Sequence, residues 1–142
     1  MKRWYKFDKG DGFFQAETPF QYATPEYENM VLGWLHDADK KPICMTTASK
    51  FALIPVGRLS LKLVNEYIQI KYPEIELVKG NGYFYVYSDN DTVGLKLAGL
   101  YTTSIGVCHL KHASIEKWRE MVDYVLMDSD RHESEREPVY PL

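Results

Sequence analysis

Cysteine is scarce: Cys44 and Cys108 are the only two among 142 residues. A disulfide framework is therefore excluded, and both thiols are expected to be reduced. Long apolar runs are lacking too. Phe51-Ala52-Leu53-Ile54-Pro55-Val56-Gly57 is short and broken by Pro55, far from the roughly 18 residues of a membrane helix. Met1-Lys2-Arg3-Trp4 begins like a secretion signal, but Lys6, Asp8 and Lys9 stand where its apolar stretch belongs. The expectation is a cytoplasmic chain that makes no use of a membrane. No excess of one charge exists either. Seventeen Lys and Arg face twenty Asp and Glu, a net charge of -3. That excludes a strongly basic nucleic-acid binder and is too weakly acidic for a nucleic-acid mimic.

What is present is ordinary globular composition, with 45% apolar and 26% charged residues. Aromatics reach 14% and include eleven tyrosines. The acids gather at the end: residues 128–142 hold Asp128, Asp130, Glu133, Glu135 and Glu137 against Arg131 and Arg136, and the body is neutral.

The pattern implies an α+β fold, a small antiparallel sheet built from hairpins and packed against about three amphipathic helices. A single unit over 1–127 and an acidic tail over 128–142 are expected. Aromatic runs on either side of Asp8-Lys9-Gly10-Asp11-Gly12 read as a hairpin over 4–17. Tyr27, Met30, Val31, Trp34 and Leu35 fall at i, i+3, i+4, i+7, i+8, behind Thr24-Pro25-Glu26 as a start signal. This spacing predicts a helix over about 25–36. Ile43–Met45 and Phe51–Val56 read as short strands. Ser60 and Pro73 bound a second helix over about 60–72. A hairpin and meander over 75–110 follow, turning at Asn81-Gly82, with a loop over 89–94 and a strand over 103–110. Ser114 starts a last helix over 114–127, with Ile115, Trp118, Met121, Val122, Val125 and Leu126 on one face. The turn Lys9-Gly10-Asp11-Gly12-Phe13-Phe14 echoes Lys79-Gly80-Asn81-Gly82-Tyr83-Phe84. The flanks do not match, so two similar turns explain the echo better than a duplication.

The segments Tyr72-Pro73-Glu74-Ile75-Glu76, Lys79-Gly80-Asn81-Gly82-Tyr83-Phe84-Tyr85, Val107-Cys108-His109-Leu110 and Ser114-Ile115-Glu116-Lys117-Trp118 together carry a resemblance. This part of the chain, about 59–127, resembles small phage and prophage proteins of unassigned activity. They share a helix, a glycine-turn hairpin and a Trp-containing helix in this order. The resemblance brings no catalytic or binding residue. What it implies is a context: an accessory protein acting on a host component, for example an inhibitor of a defence complex.

Three readings of the chemistry follow. The first is a non-enzymatic protein-interaction protein, with a host protein or a second copy as partner. On the strand after Asn81-Gly82, Phe84 and Val86 face the core, which sends Tyr83, Tyr85 and Tyr87 to the opposite face. With Tyr101 they are the candidate partner-binding residues, because tyrosine gives contact area at small entropic cost. The second is a nucleic-acid-binding module on the same face. Lys79-Gly80-Asn81-Gly82-Tyr83 partly matches the RNA-recognition signature, although Asn81 stands at a stacking position. It requires Lys79, Lys96, Lys111 and Arg119 to converge beside Tyr83 and Tyr85. The third is a small enzyme around Cys108, His109 and His112, which must then share one pocket. Zinc on Cys44, Cys108, His109 and His112 is disfavoured by the ligand spacing. Asp89-Asn90-Asp91 begins like a calcium loop but lacks the closing glutamate. No catalytic residue, metal or cofactor is assigned.

Overall fold

The computed structural model describes residues 1–24, 26, 29–98, 100 and 103–136, with the side chains described up to residue 127. The chain divides into two compact units, Met1–Arg58 and Leu59–Leu142, where one unit over 1–127 is expected from the sequence. Each unit has its own sheet and core, and both sheets are antiparallel.

The first unit is built from strands β1 (Lys2–Phe7), β2 (Phe13–Glu17), β3 (Met30–His36), β4 (Pro42–Ser49) and β5 (Leu53–Pro55). Their order in the sheet is β4-β3-β2-β1-β5, with a single 3-10 turn, Lys50–Ala52, between β4 and β5. The β1–β2 hairpin turns where the glycines stand, and Gly10 and Gly12 both have positive φ. Register places Tyr5 beside Phe14 and Phe14 beside Leu35. That face is the core side, where Tyr5, Phe14, Ala16, Val31 and Leu53 are buried. The other face carries Trp4, Gln15, Trp34 and Met45 in one cross-strand row.

Met30–His36 is thus a strand where the apolar spacing predicts part of a helix over 25–36. The physical reason is that β3 is paired on both sides, to β2 and to β4. A strand with neighbours on both edges and useful apolar contacts on both faces is apolar nearly throughout. Such a run satisfies helical and alternating templates alike. Gly33 tips the balance: it is costly inside a helix, and here it is needed because the Phe14 ring lies directly against it.

The second unit holds α1 (Leu61–Lys71), β6 (Glu76–Lys79), β7 (Phe84–Tyr87), α2 (Asp91–Ala98), β8 (Ser104–Ile105) and α3 (Ile115–Arg136). The sheet order is β6-β7-β8. Ser60 caps α1, its hydroxyl accepting from the Leu63 amide at 3.1 Å. Ser114 does the same for α3 through Lys117. The core centres on Trp118, whose indole meets Phe84 edge-on at 4.7 Å and donates to the Leu110 carbonyl at 2.8 Å. Leu77, Val64, Ile68 and Val122 are fully buried in the same unit.

Two expectations are corrected here. Asp91–Ala98 is a helix rather than a continuation of the loop over 89–94: Asn90 caps it, its Oδ1 accepting from the Val93 amide at 3.1 Å. The predicted strand over 103–110 shrinks to Ser104–Ile105. The three helices are therefore α1, α2 and α3. The α3 backbone runs on to Arg136, into the segment expected as tail; 137–142 lies outside the described residues.

Candidate functional site: the open sheet edge

A sheet edge presents unpaired N–H and C=O groups, and folded proteins usually block it. Among the described residues there are four sheet edges, and three of them are blocked. Strand β5 is three residues long, fully buried and ends in Pro55. Strand β8 has only two residues. Strand β6 is covered from within: Asn65 on α1 accepts from the Leu77 amide at 2.7 Å and donates to the Leu77 carbonyl at 3.0 Å. Both backbone groups of Leu77 are thus satisfied by one side chain, as a neighbouring strand would satisfy them. Gln69 adds a bond to the Ile75 carbonyl at 3.1 Å.

The fourth edge, β4, is different. Its eight residues, Pro-Ile-Cys-Met-Thr-Thr-Ala-Ser, contain no charge, and its one strand partner among the described residues is β3. Pro42 and the register shift opposite Leu35/His36 blunt its first residues alone. Ile43 and Met45 are 58% and 59% exposed, and Cys44 is exposed beside them.

The outer face continues this surface inward. Trp34, 40% exposed, pairs with Met45 across β3–β4. An open cavity of about 470 Å³ is lined by Leu32, Trp34, His36, Pro42 and Met45, together with the charged Lys2 and Glu17. His36 is held by donating Nδ1–H to the Trp34 carbonyl at 2.9 Å, and its ring lies against Trp4 at 4.5 Å. Phe13 stands edge-on to the same indole at 6.3 Å. The Lys40 ammonium sits over both rings, 5.2 Å from Trp4 and 5.1 Å from Phe13, so this aromatic group carries its own cation. An apolar, partly concave face next to an open edge can receive an extended chain. The edge supplies backbone bonds and the face supplies room for alternate side chains.

The tyrosine row on the second unit is arranged as strand alternation dictates. Phe84 and Val86 are buried, Tyr85 is half-buried, and Tyr87 is 44% exposed. Tyr83 is 40% exposed but also engaged: its ring covers Gly80, leaving no space for a side chain there, and stands 6.0 Å from Tyr85. The Tyr87 hydroxyl donates to Asp89 at 2.8 Å, and that bond, with the Asp89 charge behind it, raises its pKa. Tyr101 lies outside the described residues. Of the cations named for a nucleic-acid face, Arg119 is committed elsewhere, its guanidinium stacked over the buried Tyr67 ring at 4.4 Å.

Cys108, His109 and His112 are all exposed, and they line neither this cavity nor the one of about 340 Å³ between β8 and α3. The two imidazoles meet edge-on at 4.8 Å. Among the described residues no group of three His, Cys, Asp or Glu side chains is placed to hold a metal ion. No described helix is long and apolar enough to cross a membrane.

Trp34, expected on a helical stripe, and Ile43–Met45, expected as a short strand, are not among the candidate binding residues that the sequence points to. The only local signal was an eight-residue stretch without charge between Lys41 and Lys50. No family model, curated protein or solved structure matches this chain.

Proposed function

We propose that this chain is a non-enzymatic protein-interaction protein that takes up an extended segment of a partner along β4. The single observation behind this reading is the contrast between edges. The fold blocks β5, β6 and β8 but leaves the longest uncharged strand open, beside exposed Trp34 and Met45. An edge of that kind invites aggregation unless it serves pairing. Strand addition draws affinity from main-chain bonds and selectivity from side-chain pockets. The phage-type resemblance implies action on a host component, and capping a strand of a host complex is one way to inhibit it. Tyr83, Tyr85 and Tyr87 form a separate exposed aromatic row and compete with β4 as the docking face.

The test is selection of peptides from a displayed library against the full chain, with binding mapped by backbone amide protection. Binders are expected to protect alternate amides of Cys44–Ala48, those turned away from β3. Binders that instead perturb Tyr83–Tyr87 and leave β4 unchanged overturn the assignment.

A further inference from the structure

The β4 edge is neutral along its length but bracketed by cations. Lys40 and Lys41 precede it and Lys50 follows it. None of the three is in a described ion pair. Lys40 and Lys50 are instead steadied over aromatic rings, Lys50 at 5.3 Å from Phe51 and 6.0 Å from Tyr22. Of the acids in the adjoining turn, Asp37 is engaged with the amides of Asp39 and Lys41 at 2.9 and 2.8 Å. Asp39 lies two residues before Lys41 in the same turn.

This arrangement decides between occupants. Consider a second copy laid antiparallel on β4. The register that pairs Ile43 with Ser49 and Met45 with Thr47 sets Lys50 of each copy opposite Pro42 of the other, next to Lys41, and does so twice by symmetry. Like charges set opposite on neighbouring strands repel. A strand with acids at its two ends meets attraction at the same two places, in either direction of the chain. Resting on the strand-addition reading above, we infer that the segment received at β4 comes from a different protein, has an uncharged, β-branched centre and carries Asp or Glu at both ends. The lysines that select it also bar the chain from pairing with itself, so recognition and protection against aggregation come from the same residues.

The test has two arms on the full chain. In sedimentation equilibrium at low salt, the wild type is monomeric. Lys50→Glu turns repulsion into attraction at both symmetric ends. At about 0.5 kcal/mol per cross-strand charge pair, this tightens self-association about thirty-fold. The effect fades in ~0.5 M salt, and adding Met45→Lys to Lys50→Glu removes it by placing a charge on the strand itself. In the second arm, the peptide Glu-Glu-Val-Thr-Val-Thr-Val-Glu-Glu is compared with its counterpart carrying Lys at the four charged positions. The acidic probe binds wild type at least about tenfold more tightly, and Lys50→Glu narrows the difference. A wild-type dimer that Met45→Lys dissolves overturns the inference, as does a Lys50→Glu chain that associates no better than wild type. Equal affinity for the two probes, with β4 amides protected by both, overturns it too but leaves strand addition standing. Failure of both probes to protect any β4 amide overturns strand addition as well.

Discussion

Gly33 lies at the centre of β3, and its replacement by alanine is the sharpest test of how the first unit is packed. Its backbone φ is unexceptional, so the demand for glycine is purely one of space. A Cβ there stands 2.5 Å from two atoms of the Phe14 ring and 2.6 Å from the Gln15 carbonyl oxygen. Phe14 is fully buried, so its ring has no solvent side to retreat to, and the carbonyl belongs to the neighbouring strand. Forcing a methyl group into a packed core costs about 1–3 kcal/mol. The loss of unfolded-chain freedom on replacing glycine returns about 0.4–1 kcal/mol. With contacts this short from both ring and backbone, the net destabilisation is expected at about 2 kcal/mol. For a unit of 58 residues that is a fall of roughly 8–16 °C in Tm. Urea unfolding monitored by far-UV circular dichroism measures it. Phe14→Leu in the same molecule should recover part of the loss, since the ring contact is relieved and the carbonyl contact is not. A Gly33→Ala chain within about 0.5 kcal/mol of wild type, or one whose loss is independent of Phe14, refutes the account of glycine as a seat for the ring.

Asn65→Ala strips both partners from the part-buried Leu77 backbone and leaves that edge unsatisfied. The expected cost is about 2–4 kcal/mol by denaturant unfolding, accompanied by concentration-dependent association through the exposed β6. Tyr72 gives a pH signature. Its hydroxyl donates to Asp123 at 2.5 Å, and Lys71 reaches the same oxygen at 3.2 Å. Burial first, then this bond and the Asp123 charge, push the Tyr72 pKa above its ordinary value. The neutral hydroxyl therefore contributes its full stability below the unfolded value near 10, and the contribution is lost as pH climbs beyond it toward the folded value. Wild-type stability should fall above pH ~10 more steeply than that of Tyr72→Phe, which at pH 7 is about 1 kcal/mol less stable. Parallel pH profiles for the two proteins would contradict this.

How far each feature could be read from the sequence depends on whether its cause is local. The Asn81-Gly82 turn and the Gly10–Gly12 reversal are legible because positive φ is a property of the residue, and Gly10, Gly12 and Gly82 all adopt it. Helix α1 is legible because Ser60 and the Pro73 stop act within one turn of its ends. Helix α2 escaped because Asp89-Asn90-Asp91 is equally good loop sequence, and only the Asn90 cap distinguishes the two. Strand β3 escaped because its identity is settled by β2 and β4, which lie elsewhere in the chain. The proposed site is the extreme case. Being at an edge is a fact of topology: nothing in Pro42–Ser49 says that no strand follows beside it, just as nothing in Leu77 says that Asn65 will close the opposite case.

The three tryptophans are sorted by environment in a way that makes the molecule its own reporter. Trp118 is sealed among apolar side chains with its N–H occupied, so its emission should be blue and out of reach of iodide. Trp34 faces water and Trp4 is partly covered by an edge-on imidazole and an ammonium. A ligand that settles over Trp34 shields it from quencher while the blue component stays constant, whereas melting of the second unit shifts the blue component alone. One cuvette can therefore separate occupancy of the surface from loss of structure, with no label attached.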